Sequence, residues 1–373
     1  MSAADPLKVV IAGGGVAALE AALALHELAG ERVALTLIAP NAQFSYRPMT
    51  VREPFAYTPA AHYPIAALAD EVGAELLVDE FGWVDPSARV AHTVGGEEVA
   101  YDALLLGLGA RITEAFSHVV TIDDRRLDEL LHGMIQDVEE GYVKSVAFVA
   151  PARLAWPMPL PELALMTAAR AYDMDVDVHL TLITPESAPL AVFGAQASEA
   201  LAKLLADAGV ETITSAHAQV VEAGEVRIEP GDRTVHADRI VALPELFGPA
   251  VRGLPSGEHG FIPVDQHCKV HGVERVWAAG DAIDFAIKHG GLAAQQADAA
   301  ARAIAALAGA PIEPAPFLPE IHGILLTGRK PIYMTARITG SKAFNSQVAT
   351  EPNWEPVAKI SAQYLAPYLA RSG

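Results

Sequence analysis

The sequence predicts an α/β chain of two Rossmann-like dinucleotide-binding domains, the first interrupted by the second, with a short C-terminal α+β segment. Three observations predict it. The apolar run of residues 9–12 meets the turn Gly13-Gly14-Gly15, and an alanine-rich helical stretch follows over 21–28. A second strand–helix–strand plan begins at Ser145. Far downstream, the apolar residues 276–279 end in Gly280-Asp281 and feed a further alanine-rich helix over 292–307. The expected divisions are 1–112 for the first part of the first domain, 113–245 for the second domain, 246–315 for the return to the first, and 316–373 for the C-terminal segment.

Composition narrows the function. A chain of 373 residues is long enough for two or three cored domains. Its apolar residues fall in short runs, none near the roughly 20 residues that span a bilayer. Residues 1–8 lack a basic region followed by an apolar core, so the expected location is the cytoplasm. The 46 acidic residues outnumber the 26 basic ones, giving a net charge of −20. Nucleic acid is therefore not an expected partner, because phosphate backbones are bound by basic patches. Cys268 is the only cysteine, which excludes an intrachain disulfide, cysteine-pair redox chemistry and a multi-thiolate zinc site. No metal site is expected.

At the opening motif, Gly13 permits the tight turn out of the strand, Gly15 has no Cβ to obstruct a pyrophosphate, and the small Ala18 lets helix and strand pack closely. The helix N-terminus then offers unpaired N–H groups to phosphate. The second strand is read over 32–38. An acidic residue usually follows it to hold ribose hydroxyls, but Ala39 stands there, so backbone or Asn41 must serve. The segment 44–55 is an aperiodic, proline- and aromatic-rich loop. Arg47 can meet a phosphate and Tyr46 and Phe55 a ring, or the aromatics simply plug the loop into the core.

Strands are expected over 75–84 and 89–93, and a buried one from Tyr101 that ends in Gly107 and Gly109, where backbone can approach a ligand. A helix over 123–141 leads to the second unit: strand 145–150, helix 162–172, strand 179–183. The turn of that unit, 150–161, contains no glycine; Pro157, Pro159 and Pro161 stiffen it and remove N–H donors. A helix over 198–208 and short strands at 211–213, 219–221, 225–228 and 239–243 complete the domain. Pro244 to Gly257 mark the crossing back.

Asp281 is either a helix cap or a ligand for polyol hydroxyls. Lys288 can place positive charge beside an anionic reduced ring. Strands over 321–340 are divided by a turn at 327–331. A final helix over 356–369 puts Val357, Ile360, Tyr364, Leu365, Tyr368 and Leu369 on one face, for packing within the chain, for a second subunit, or for a membrane surface.

Gly13-x-Gly15-x-x-Ala18 and Ala279-Gly280-Asp281, flanking a second βαβ unit, resemble the two-dinucleotide-binding-domain flavoproteins, the pyridine nucleotide-disulfide oxidoreductase superfamily. Residues 44–48, 104–110 and 287–297 are most similar to the branch of type II NADH dehydrogenases and sulfide:quinone oxidoreductases. The resemblance implies FAD at Gly13, Gly15 and Ala18, with Arg47 and Gly109 nearby, Gly280 and Asp281 at the ribityl and phosphate region, and Lys288 at the pyrimidine edge of the flavin, where it is the expected catalytic residue. It implies an FAD-dependent oxidoreductase passing electrons from NAD(P)H, as co-substrate, to a quinone or similar small acceptor. The alternatives are a flavoprotein with another small or protein donor, or a catalytically silent flavin-binding sensor. A homodimer and a peripheral contact with the inner face of the membrane through the last helix are the further partners considered. The glycine-free turn resembles the sulfide:quinone branch, but Trp156 occupies the neighbourhood of that branch's attacking cysteine.

Overall fold

In a computed structural model, residues 5–339 and 342–372 are described. Residues 1–4, part of the stretch read for a leader, and Gly340, the expected end of a strand, lie outside them. The buried residues Val9 to Ala12 lie in β1 (Leu7–Ala12), which turns at the glycines into α1 (Val16–Ala29). β2 (Val33–Ile38), α2 (Ile65–Val72), β3 (Glu75–Leu77) and β4 (Ala103–Leu106) follow. The second unit comprises β5 (Val120–Thr121), α3 (Leu127–Glu139), β6 (Ser145–Val149), α4 (Pro159–Asp173), β7 (His179–Ile183), α5 (Ala195–Asp207), β8 (Val210–Ile213) and β9 (Arg239–Ala242). β10 (Val276–Ala278) and α6 (Gly290–Leu307) return to the first unit. β11 (Glu320–Leu325), β12 (Ile332–Thr339), β13 (Lys342–Ala349) and α7 (Leu365–Ser372) end the chain.

Two all-parallel sheets result, in the orders β10-β4-β1-β2-β3 and β5-β9-β6-β7-β8. Their central strands are apolar on both faces because each sheet is covered on both sides. α1 and α6 pack closely on the first sheet; their alanines allow that approach, and Ala21, Ala22, Ala297 and Ala300 are fully buried there. Three antiparallel strands, Phe81–Asp85, Val90–Thr93 and Glu98–Ala100, belong to a separate small sheet. The single strand expected over 75–84 is thus two, and the break centres on Asp79. Its carboxylate accepts the N–H groups of Glu80 and Gly95, turning the chain from one sheet to the other.

The loop at 44–55 is partly regular: Arg47–Phe55 winds as a 3-10 helix against α3. Phe44 sits in the core of the first domain, whereas Val51 and Phe55 enter that of the second, so the loop bridges both.

The final helix is shorter than expected. Helix α7 covers only Leu365–Ser372, and the preceding residues form a non-helical strap. The Ile360 N–H donates to the Tyr46 hydroxyl at 2.9 Å, and that of Tyr364 to the Glu20 carboxylate at 2.9 Å, so these donors are spent on other elements rather than on a helical turn. Ile360, Leu365, Tyr368 and Leu369 are buried in the first domain's own core. The apolar face considered for a membrane is therefore already covered, and only Val357 of its large residues is well exposed. Among the described residues, no helix is long and apolar enough to cross a membrane.

Candidate active site

The β1–α1 turn is a cradle for a diphosphate. A Cβ on Gly13, where φ is +129°, would meet the Gly107 carbonyl oxygen at 2.3 Å and Ala18 Cβ at 3.4 Å. A Cβ on Gly15 would meet nothing within 4 Å, so the space it faces is open. The Gly13 N–H is paired with the Ile38 carbonyl at 2.8 Å, while those of Gly14 and Gly15 find no backbone acceptor among the described residues. Gly15 is the N-cap of α1 and has no side chain to cap it. Unpaired donors, a helix N-terminus and unfilled space are what an anion requires.

β10 brings Gly280 to the first turn of α1. With φ at +77°, its Cα lies so close to Ala17 that an added Cβ would approach that methyl to 3.2 Å, and its N–H donates to Gln296 Oε1 at 2.8 Å. Asp281 follows in a short 3-10 turn. Burial pushes its carboxyl up; Lys288 and Arg47 oppose this, and Asp124 adds to it. Arg47 itself lies 3.7 Å from Asp124, with both side chains half-exposed. The fold therefore gathers Gly13, Gly15, Ala18, Gly280, Asp281, Arg47 and Lys288 around one region. Gly109, at φ +73°, lies in the turn after β4 with open space beside it, and Asn41 is exposed.

Lys288 is buried, with its ammonium 3.9 Å from the Phe261 ring centroid and donating to the Ile283 carbonyl. Burial depresses its pKa to about 8, against the pull of Asp281 and Asp284. Its backbone N–H meets the Ala155 carbonyl at 3.2 Å, which ties this segment to the proline turn of the second domain. His289 packs its ring 4.5 Å from Trp156; burial lowers it to about 3, so it is neutral near pH 7.

A further pair had no signature in sequence spacing. Glu162, in the first turn of α4, and Lys359, in the strap, meet at 2.6 and 2.8 Å. Both are buried, and each has another partner: the Leu326 N–H donates to Glu162 at 2.9 Å, and Lys359 donates to the Pro48 carbonyl at 3.2 Å. Burial raises the Glu162 carboxyl and Lys359 lowers it. Only a charged residue inside the apolar run 357–369 hinted at this. The one cysteine, Cys268, is buried in the first domain's core with its thiol pushed up to about 12, which leaves it inert. Among the described residues, no cluster of three or more His, Cys, Asp or Glu side chains can hold a metal.

The second βαβ unit lacks the cradle of the first. Of the first four residues of α4, Pro159 and Pro161 have no N–H, while Leu160 and Glu162 donate to Pro157 and Met158 at 3.4 and 3.3 Å. After β7, Glu186 stands where a ribose-binding acid is expected, yet its carboxylate turns back to the N–H groups of Leu190 and Ala191 at 3.3 and 3.0 Å.

Residues 162–302 match the family model described as pyridine nucleotide-disulphide oxidoreductase. The matched segment runs from α4 into α6 and leaves β1 and α1 outside it. The cradle at α1, with its unpaired N–H groups and open space, suits a cofactor that carries a diphosphate. Among solved structures, the sulfide:quinone oxidoreductase of the hyperthermophilic bacterium Aquifex aeolicus is similar at a TM-score of 0.80 and 18% identity, over 92% of this chain and 87% of that one. A ferredoxin reductase from Rhodopseudomonas palustris is similar at 0.70 and 18%, over 89% and 83%. A NAD-dependent persulfide reductase from A. fulgidus is similar at 0.65 and 18%, over 89% and 64%. No curated protein sequence matches the chain significantly.

Proposed function

We propose that this protein is an FAD-dependent oxidoreductase that takes electrons from a small donor other than NAD(P)H and delivers them to a quinone or similar small acceptor. The observation that carries this reading is the first four residues of α4, none of which has a free N–H with which to hold a pyridine nucleotide's diphosphate. The inward-turned Glu186 supports it, since no carboxylate is left there for the nicotinamide dinucleotide's ribose. FAD supplies the redox chemistry, accepting hydride or single electrons. In this proposal, Gly13, Gly15 and Ala18 hold its diphosphate, Gly280 and Asp281 the ribityl region, and Arg47 and Gly109 lie at the rim. Lys288 would lie beside the flavin ring and stabilise the anion formed on reduction. The second domain, without a dinucleotide, would shape the donor's approach through Trp156 and His289.

The second reading keeps NAD(P)H as donor. It is supported by the family match over 162–302 and by the likeness to the NAD-dependent persulfide reductase. An anaerobic visible spectrum of the FAD-loaded protein separates the two. Under the first reading, the flavin bands near roughly 450 nm persist after NADH and NADPH and bleach with another reductant. Bleaching within seconds by either nucleotide would overturn it in favour of the second. Bands that resist every physiological reductant would identify a silent flavin-binding protein.

A further inference from the structure

The strap that carries Lys359 to Glu162 is fastened at its far end by a pair of acids. Glu20 of α1 is fully buried, and its carboxylate accepts the N–H groups of Tyr364, at 2.9 Å, and Leu365. Leu365 opens α7, so Glu20 satisfies donors that a helix start leaves unpaired and places negative charge where the helix dipole favours it. Asp298 of α6 shares a hydrogen bond with Glu20, although both are acids. Its Oδ1 is buried without a hydrogen-bond partner. Two carboxylates in contact cannot both be ionised, so one proton must lie between them.

The surrounding charges leave that proton in place. From α6, Arg302 pulls Asp298 down, but its guanidinium also donates to the Glu313 carbonyl at 3.4 Å, and its Nε has no partner. From the strap come the phenol of Tyr364 and the N–H of Gln363, and from α1 the more distant Glu27. We propose that Glu20 and Asp298 form a proton-sharing latch, which positions the strap and with it Lys359, and that loss of the shared proton releases the strap from α1.

Burial, followed by the neighbouring Glu20, pushes Asp298 up from 3.8 to about 9. The folded chain therefore holds this proton at pH values where the unfolded chain has lost it. The latch's stabilisation is complete in acid, declines as pH rises above the ordinary carboxylate range, and is gone above about 9. Ionisation would leave two buried negative charges against one helix start. The strap would detach while β1, inside the sheet, stays closed.

Hydrogen exchange of the FAD-loaded protein, corrected for base catalysis, tests this without turnover, so its outcome is independent of the donor's identity. The amides of 357–369 are compared with those of β1. In the wild type, protection of the strap should fall roughly tenfold or more between about pH 8 and pH 10 while β1 is unchanged. Asp298→Asn, whose amide donates to Glu20 without titrating, should keep the strap protected throughout. Glu20→Gln, which removes the like charge, should also abolish the step and tests the latch should Asp298→Asn fold poorly. An Asp298→Asn or Glu20→Gln protein that retains the wild-type step would overturn the proposal, as would loss of protection in strap and β1 together.

Discussion

Lys288 and Lys359 are both buried amines, but they meet the cost of burial differently. Lys359 has a carboxylate at 2.6 Å; Lys288 has a ring face and a carbonyl, and its pKa falls to about 8. Removing Lys359 leaves Glu162 charged and unpaired in a buried site. Lys359→Met should therefore cost about 3–5 kcal/mol, and Glu162→Gln added to it should recover part of the loss, because a broken buried pair costs more than an absent one. Urea unfolding measures both. At Lys288, the cation exists below about pH 8 and disappears above it. If it stabilises reduced flavin, stopped-flow flavin reduction should slow as pH rises through that value. Lys288→Met should be slower at neutral pH by roughly a hundredfold, and Lys288→Arg should lose the alkaline decline. A Lys288→Met protein reduced at the wild-type rate would remove this residue from the chemistry.

At the scale of elements, the same strand–turn–helix plan occurs twice and serves two purposes. At α1, three glycines leave donors and space; at α4, two prolines and two paired N–H groups leave no free donor on the first four residues. The glycines also differ among themselves. Gly15→Ala meets nothing in the protein, so it should fold with normal circular dichroism yet, if the cradle holds FAD as proposed, lose roughly tenfold or more in affinity for it, because its Cβ would enter the open space there. In Gly13→Ala, the added Cβ would overlap the Gly107 carbonyl at a strained φ, so it should destabilise the fold itself. Equal thermal stability in the two variants would contradict this division.

At the scale of the whole molecule, the C-terminal strap is a structural tie rather than an appendage. Ile360, Leu365, Tyr368 and Leu369 are buried against the first domain, while Lys359 engages the second. Each apolar side chain contributes about 1.5–3 kcal/mol on burial, against a total stability of about 5–15 kcal/mol for a typical native protein. A chain ending at Pro352 should therefore lose cooperative unfolding at ambient temperature, a result that calorimetry would show. Normal cooperative melting would mean that the strap contributes little.

What the sequence determined by itself was local and periodic. The run Val9–Ala12, the turn at Gly13 and the alanine stretch after it specify strand, turn and helix through short-range sterics, and the motif at Gly280-Asp281 does the same at β10. The absence of donors at Pro159 and Pro161 was equally visible, since proline carries no N–H in any fold. Tertiary structure alone decided the break at Asp79, where a carboxylate recruits the N–H of Gly95 from a distant turn, and the unwinding of 356–364, where Tyr46 and Glu20 compete with the helix for its N–H groups. It alone also paired Glu162 with Lys359 and Glu20 with Asp298. Such contacts join residues far apart in the chain, and their energy comes from a burial that no local pattern records.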